Sequence, residues 1–345
     1  LWNRLRSRVL RAHGPALLHY QPPANLGWPP LQRALASYLR DSRGVPCSAE
    51  QIAVTTGSQQ ALFLLAQLLL RSGDRVLMED PGYLGARHAF LRAGAAVEPA
   101  PVDADGLITP VAGLAGAKLI YTTPSRQFPT GACLPVPRRL ALIEQARAAG
   151  AWIIEDDYDS EFRYTRPPLP SLYGLDAVGR VLYLGSMSKV LLPALRIGYA
   201  VLPESLLDGF AELRSLVDDH GPTIDQAALA EFIETGAFYT QIRRCRKAYG
   251  ERIDVFLREV HDAGLPLEFP HRDGGMNLAG FLPAGADDRA EAKRWARAGF
   301  DVPPLACYAL RQAPAGLLFG FTAFTPRAIK LALAKAKSAL ASGGR

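Results

Sequence analysis

Between residues 51 and 202, short apolar runs rich in valine and isoleucine alternate with amphipathic stretches, and this alternation restricts the fold more than any other property of the chain. Sustained over that length, it builds a mostly parallel sheet with helices on both faces. The pattern predicts strands over 51–55, 75–79, 118–122, 151–155, 180–184 and 197–202, an extended segment over 96–101, and helices over 58–71, 82–93 and 137–149. Gly57-Ser58 opens the first helix and Gly73 closes it, while a proline at 137 suits a first helical turn, where its missing N–H costs nothing. The elements are uneven and no helix is expected between 156 and 180, which favours an open doubly wound sheet over a closed barrel.

After Pro203 the composition turns helical, with a long amphipathic helix over 238–263. Short apolar runs at 267–269, 276–282 and 317–322, with helices over 287–298 and from 325 onward, read as a small α+β unit. The expected organisation is an N-terminal segment (1–45) packing on the small domain, a large domain (46–235) and a small C-terminal domain (236–345).

The 345 residues are 49% hydrophobic with a net charge of +6, enough to bury a large core. The charge is scattered, with no run of five like charges, so basicity by itself is weak support for a nucleic-acid partner. Four distant cysteines form no C-x-x-C pair; a reducing cytoplasm and no metal are expected. The longest apolar run, 61–70, contains Gln67 and falls short of the roughly 20 residues of a membrane span. Residues 1–14 lack the apolar stretch and cleavage site of a secretory signal. The chain starts at Leu1, which is consistent with a piece of a longer protein.

Lys189, in Gly185-Ser186-Met187-Ser188-Lys189, follows a predicted buried strand, so its amine projects from the sheet edge where ligands of open α/β sheets bind. A lone lysine after a turn is an ordinary surface residue; its neighbours change the reading. Ser186, Ser188 and Arg196 supply hydroxyls and a guanidinium suited to a phosphate. Asp156 follows the apolar strand Trp152-Ile153-Ile154, at another carboxyl end. A carboxylate there keeps a pyridine ring protonated, which makes pyridoxal 5′-phosphate (PLP) an electron sink. The acidic stretch 155–159 also reads as a solvated turn. Thr56-Gly57-Ser58-Gln59 precedes a helix whose first N–H groups suit a phosphate, and Tyr83 stands where it can stack on a flat ring or simply lie half-buried in its turn.

The strings TTGSQQAL, EDPGY, TPSRQFPTG, WIIEDDYDSEFRY and GSMSKVLLPALRIGY, in order from about Leu18 onward, resemble the fold-type-I PLP enzymes. They are most similar to the aminotransferase-like effector domain of the MocR/GabR subfamily of GntR-type regulators. The resemblance implies a large domain with a mixed, mostly parallel sheet plus a smaller α+β domain. It implies Lys189 as the Schiff-base lysine, Asp156 on the pyridine nitrogen, Tyr158 near the ring hydroxyl and Tyr83 as a stacking residue. Gly57, Ser58, Gln59, Ser186 and Arg196 then contact the phosphate. A homodimer with its site at the interface is also implied; Tyr20 and residues 21–25 are candidates to reach the partner's site.

Two positions depart from the aminotransferase pattern. Phe128 stands where an asparagine usually touches the ring hydroxyl, with Gln127 beside it as a candidate replacement. Leu318 stands where an arginine grips the substrate carboxylate, a fork that leucine cannot supply. Arg126 and Arg311 are candidates for that charge. The expected function is therefore an effector domain responding to an amine, an amino acid or PLP itself through Lys189, with DNA bound only by an N-terminal winged-helix module not present in this chain. The alternative is a stand-alone PLP-dependent aminotransferase, in which Lys189 moves the proton.

Overall fold

The computed structural model describes residues 2–22, 25–165, 169–311 and 313–342. Two helices lead, α1 (Trp2–Leu18), which bends at His13, and α2 (Pro29–Arg43). There follow β1 (Ile52–Thr55), α3 (Ser58–Leu69), β2 (Arg75–Asp80), α4 (Leu84–Arg92), β3 (Ala96–Asp103), β4 (Gly106–Leu107), β5 (Leu119–Thr122), α5 (Val136–Ala149), β6 (Trp152–Asp157), the one-turn α6 (Leu172–Leu175), β7 (Val181–Ser186) and β8 (Gly198–Val201). Then come α7 (Glu204–Ser215), α8 (Thr223–Glu234), α9 (Ala237–Asp262), β9 (Asn277–Phe281), α10 (Asp288–Arg297), β10 (Gly316–Gly320) and α11 (Pro326–Ser342).

Eight strands form one sheet in the order β1-β8-β7-β6-β5-β2-β3-β4. The run from β3 to β7 is parallel, β8 is antiparallel to both β7 and β1, and β4 is antiparallel to β3. Fully buried runs such as Ile52–Thr55 and Leu119–Thr122 reflect a sheet covered on both faces. One face packs on α3, α4 and α7 through Ile154, Leu182, Leu184 and Phe90. The opposite face carries α5 over Ile153 and Ile120, and α1, α2 and α8 over Val54, Tyr183 and Tyr199. Because β8 reverses direction, β1 runs the same way as β7. The carboxyl ends of β1, β2, β5, β6 and β7 therefore meet along one edge.

The N-terminal segment packs mainly on the large domain and touches the expected small domain at the start of α9, where the Tyr38 ring lies edge-on to Phe238 at 5.2 Å. The apolar stripe Leu31, Leu35 and Leu39 of α2 joins the core cluster that holds α8 and β1. Trp2 Nε1 donates to Asp225 at 3.3 Å, Thr223 Oγ1 to the Leu17 carbonyl at 2.9 Å, and Trp28 N to the Gln226 side chain at 2.8 Å. All three ties run to α8, which also packs on α9 through Phe232 and Phe238. There is no clean break at 236: Phe238 and Ile242 of α9 lie in this same cluster, while Ile253, Phe256 and Val260 of that helix enter the small-domain core with β9, β10 and α11. The run 267–269 is not a strand; Glu268 makes only an isolated bridge to Phe281.

Candidate functional site

A cavity at the shared strand edge, about 600 Å³ with its open mouth included, is lined by Ser58, Tyr83, Tyr121, Thr123, Phe128, Asp156, Tyr158, Ser186, Lys189, Met276 and Asn277. The first nine come from five separate strand ends and the turns after them, and the last two from the start of β9. The reversal at β8 builds it: Gly198 pairs with both Thr55 and Ser186, and a Cβ at Gly198 would lie 2.7–2.8 Å from the Gly57 backbone and Ser58 N. Only glycine lets the turn between β1 and α3 sit this close to the end of β7.

Successive residues of β6 point to opposite faces, and this separates its acids. Glu155 accepts hydrogen bonds from Leu172 N (3.0 Å) and Tyr173 N (2.9 Å), and so caps α6. Asp157 is held by Arg43 (2.8 Å from Nε), Tyr183 Oη (2.5 Å) and Ser160 Oγ (2.9 Å). Asp156 alone faces the cavity. Tyr121 Oη donates to its Oδ2 at 2.7 Å, and Oδ1 is buried without a partner. Burial raises the Asp156 pKa to about 6, against a hydrogen bond from Tyr121 and the Lys189 charge, both of which lower it. The acidic stretch is thus no solvated turn: Glu155, Asp156, Asp157 and Asp159 are all nearly inaccessible to solvent.

The phosphate-type residues gather at one end. Helix α3 begins at Gly57 (φ 106°) with no side-chain cap, leaving its first N–H groups free, although Ser58 had been expected to help cap it. Arg196 lies over this turn, its Nη2 placed 3.0 Å from where a Gly57 Cβ would stand. It adopts φ 49°, uncommon for a residue other than glycine, asparagine or aspartate, just after the turn Pro193–Leu195. Ser186 lines the cavity. Ser188 does not line it, but is buried with an unpartnered Oγ. The Gln59 side chain is spent on Gly85 O (2.9 Å) and Tyr83 Oη (3.3 Å), which fixes the tyrosine; its backbone N–H stays at the helix start.

The three candidates for the substrate side do not line the cavity. Arg126 is 8% exposed, donates to Asn277 O at 2.8 Å and pairs with Asp159 at 3.6 Å. Gln127 donates to Pro81 O (2.7 Å) and Phe128 O (2.6 Å) and accepts from Thr130, so it does not replace the missing asparagine. Arg311 gives its backbone N–H to Asp80 (2.9 Å), and its exposed guanidinium adds only slightly to the hold of Arg75, whose hydrogen bond keeps the Glu98 carboxyl below its usual range. Tyr20 is exposed and edges onto His220; residues 23 and 24 of the 21–25 segment lie outside the described residues.

Sequence reasoning missed Tyr121, Thr123, Met276 and Asn277. Tyr121 was findable, since the predicted strand 118–122 places its last residues at the same edge as Asp156. Met276 and Asn277 arrive from the small domain with no local signal.

Among the described residues, no cluster of His, Cys, Asp and Glu is able to hold a metal, and no helix is long and apolar enough to cross a membrane. An open carboxylate oxygen on Asp156, a lysine beside it, a ring-sized aromatic slot and a bare helix N-terminus with an arginine suit a phosphorylated pyridine aldehyde. The fold and site together define a fold-type-I, PLP-binding protein. The chain belongs to the aminotransferase class I and II family, whose model matches residues 8–294. It is 38% identical, over 98% of its length and 69% of the relative's, to a probable rhizopine catabolism regulatory protein, MocR, of Rhizobium meliloti. It is 34% identical to the HTH-type regulator YdeL of Bacillus subtilis, across 98% of this chain and 73% of the other. In structure it resembles a Pyrococcus horikoshii kynurenine aminotransferase, with TM-score 0.90, 25% identity, and coverage of 100% and 87%. The cofactor is PLP, and the chain is an aminotransferase-like domain of the MocR regulator type.

Proposed function

We propose that this chain senses an amine-bearing ligand through PLP held on Lys189 and that, in the full-length regulator, an N-terminal winged-helix module carries the response to DNA. What supports this reading is the match of nearly the whole chain to regulators that extend beyond it. Bound in the cavity, the cofactor supplies an amine-reactive carbonyl carbon and an electron-withdrawing ring. Lys189 anchors it, Asp156 pairs with the ring nitrogen, Tyr158 stands near the ring hydroxyl and Tyr83 lies against the ring. Gly57, Ser58, Gln59, Ser186 and Arg196 hold the phosphate; Ser188, which does not line the cavity, takes no direct part. A homodimer in the cytoplasm completes the reading, with the exposed Tyr20 available to a partner.

The test is spectroscopic. Protein mixed with PLP gains a visible absorbance band that Lys189→Ala lacks and that primary amines shift; a band unchanged in the variant overturns the anchor. The likeness to an aminotransferase structure favours a second reading, a stand-alone transaminase. Rapid turnover with amino donors and keto acids selects it over the sensor.

A further inference from the structure

Phe128 governs the side of the cavity away from the phosphate end. Its ring lies edge-on to Tyr83, Tyr158 and Tyr308, with centroids 5.9, 6.0 and 5.1 Å apart. It also packs against the apolar cluster of Ala279, Leu305 and Leu318, which joins β9 and β10 to the large domain. Leu318 is 8% exposed, with its backbone N–H on Pro303 O at 2.9 Å. The cavity wall at Phe128 is therefore apolar and backed by buried side chains of the small domain.

The cations around this wall have other work. Arg126 is clamped between Gly131 and Gly275, where added Cβ atoms would lie 2.9 and 2.0 Å from it, and its charge is answered by Asp159. Arg163 pairs with Asp273 at 3.1 Å. Arg87 donates to the Tyr308 and Ala309 carbonyls, and the loop they belong to is fixed by Asp80, which accepts from Leu310 N and Arg311 N. Arg196 sits over Gly57 at the opposite end. Among the described residues, the remaining polar groups lining this side, Tyr158 and Asn277, are neutral hydrogen-bonding groups. A ligand carboxylate arriving here loses its water and gains no cation from the described residues, a net cost.

Building on the sensor reading above, we propose that the site selects primary amines whose remaining part carries no negative charge, apolar or hydroxylated, and discriminates against α-amino acids. Phe128 sets this selectivity by giving the cavity an apolar surface, and Leu318, packed behind it, brings no cation to that side.

Matched pairs differing only by the carboxylate test it: isopentylamine against L-leucine, and phenethylamine against L-phenylalanine. Each is titrated into the PLP-loaded protein and followed by visible absorbance and by thermal shift. The amines are expected to half-saturate at concentrations at least ~10-fold lower than the amino acids. In Leu318→Arg the ratio narrows by ~10-fold or reverses. Amino acids binding as tightly as the amines overturn the inference while leaving the sensor reading intact. A band that none of the four compounds perturbs overturns both. Should Leu318→Arg fail to fold, the wild-type pairs decide alone; an unchanged ratio in a folded variant removes Leu318 as a determinant.

Discussion

Tyr121 Oη donates a 2.7 Å hydrogen bond to Oδ2 of Asp156 and leaves Oδ1 open toward the cavity. Both residues lie at the carboxyl ends of adjacent parallel strands, with Tyr121 opposite Ile154 in the register, two residues before the aspartate. The pair holds a buried carboxylate in one orientation and keeps one oxygen for a ligand. Its consequence is testable with Tyr121→Phe, which leaves both oxygens without a protein partner. Losing one charge-assisted hydrogen bond is expected to weaken PLP binding about tenfold, from roughly 1.5 kcal/mol. Fluorescence or absorbance titration measures this; unchanged affinity would mean Asp156 is oriented by something other than Tyr121.

The raised pKa of Asp156 carries a pH signature in the PLP-free protein. Its folded value of about 6 lies above the ordinary aspartate value of 3.8, so the folded state holds a proton that the unfolded state has released. Folding stability from this group therefore falls as pH rises from about 4 to about 6 and is constant beyond, by up to about 3 kcal/mol. Asp156→Asn has no proton to lose. Thermal unfolding at about pH 4.5, early in the falling range, and at about pH 7, beyond it, should show the variant gaining on the wild type at the higher pH. Parallel melting profiles for the two proteins contradict the assignment.

Gly57 and Arg196 make one feature rather than two. At φ 106° a side chain is strained at position 57, and its Cβ would press on the guanidinium. Gly57→Ala is expected to destabilise the turn by about 1–2 kcal/mol and to weaken PLP binding by displacing Arg196. Arg196→Ala should lower PLP affinity with little effect on the melting temperature of the free protein, since Arg196 is exposed. Comparing the two separates backbone strain from lost charge. Equal affinity for pyridoxal with and without its phosphate in wild type would defeat the phosphate assignment.

Much of this was legible in the sequence. The strand–helix alternation gave the sheet because fully buried parallel strands are continuous apolar runs, and Lys189, Asp156 and Gly57 stood out because each follows such a run. Boundaries differed by at most two residues. That the N-terminal segment packs mainly on α8 was not legible, because an amphipathic stripe says that a helix packs, not what it packs against, and α8 lay in a stretch read only as generally helical. The arginines were misread for a similar reason. Sequence shows that a guanidinium is present, but the burial of Arg126 between two glycines and an aspartate depends on the loop 272–277 returning from the small domain, which no local pattern reports.

Arg126 provides the sharpest contrast between a ligand contact and a structural clamp. Its guanidinium joins the loop after β5 to Asn277 O and faces Asp159, whose carboxyl burial has already pushed to about 7 with Arg126 pulling it down. In Arg126→Met the apolar stem remains, but Asp159 is left buried without its main counterion. Above about pH 7, where Asp159 is ionised, removing one partner of a buried pair costs about 3–5 kcal/mol, so the melting temperature should drop by roughly 6–20 degrees at about 2–4 degrees per kcal/mol. The loss should shrink as pH falls below about 7, because a protonated Asp159 no longer needs the cation. Arg126→Met/Asp159→Asn should recover much of the stability, as both charges leave together. If Arg126 instead served a ligand, the single variant would melt like wild type and change only amine selectivity, and the second substitution would rescue nothing.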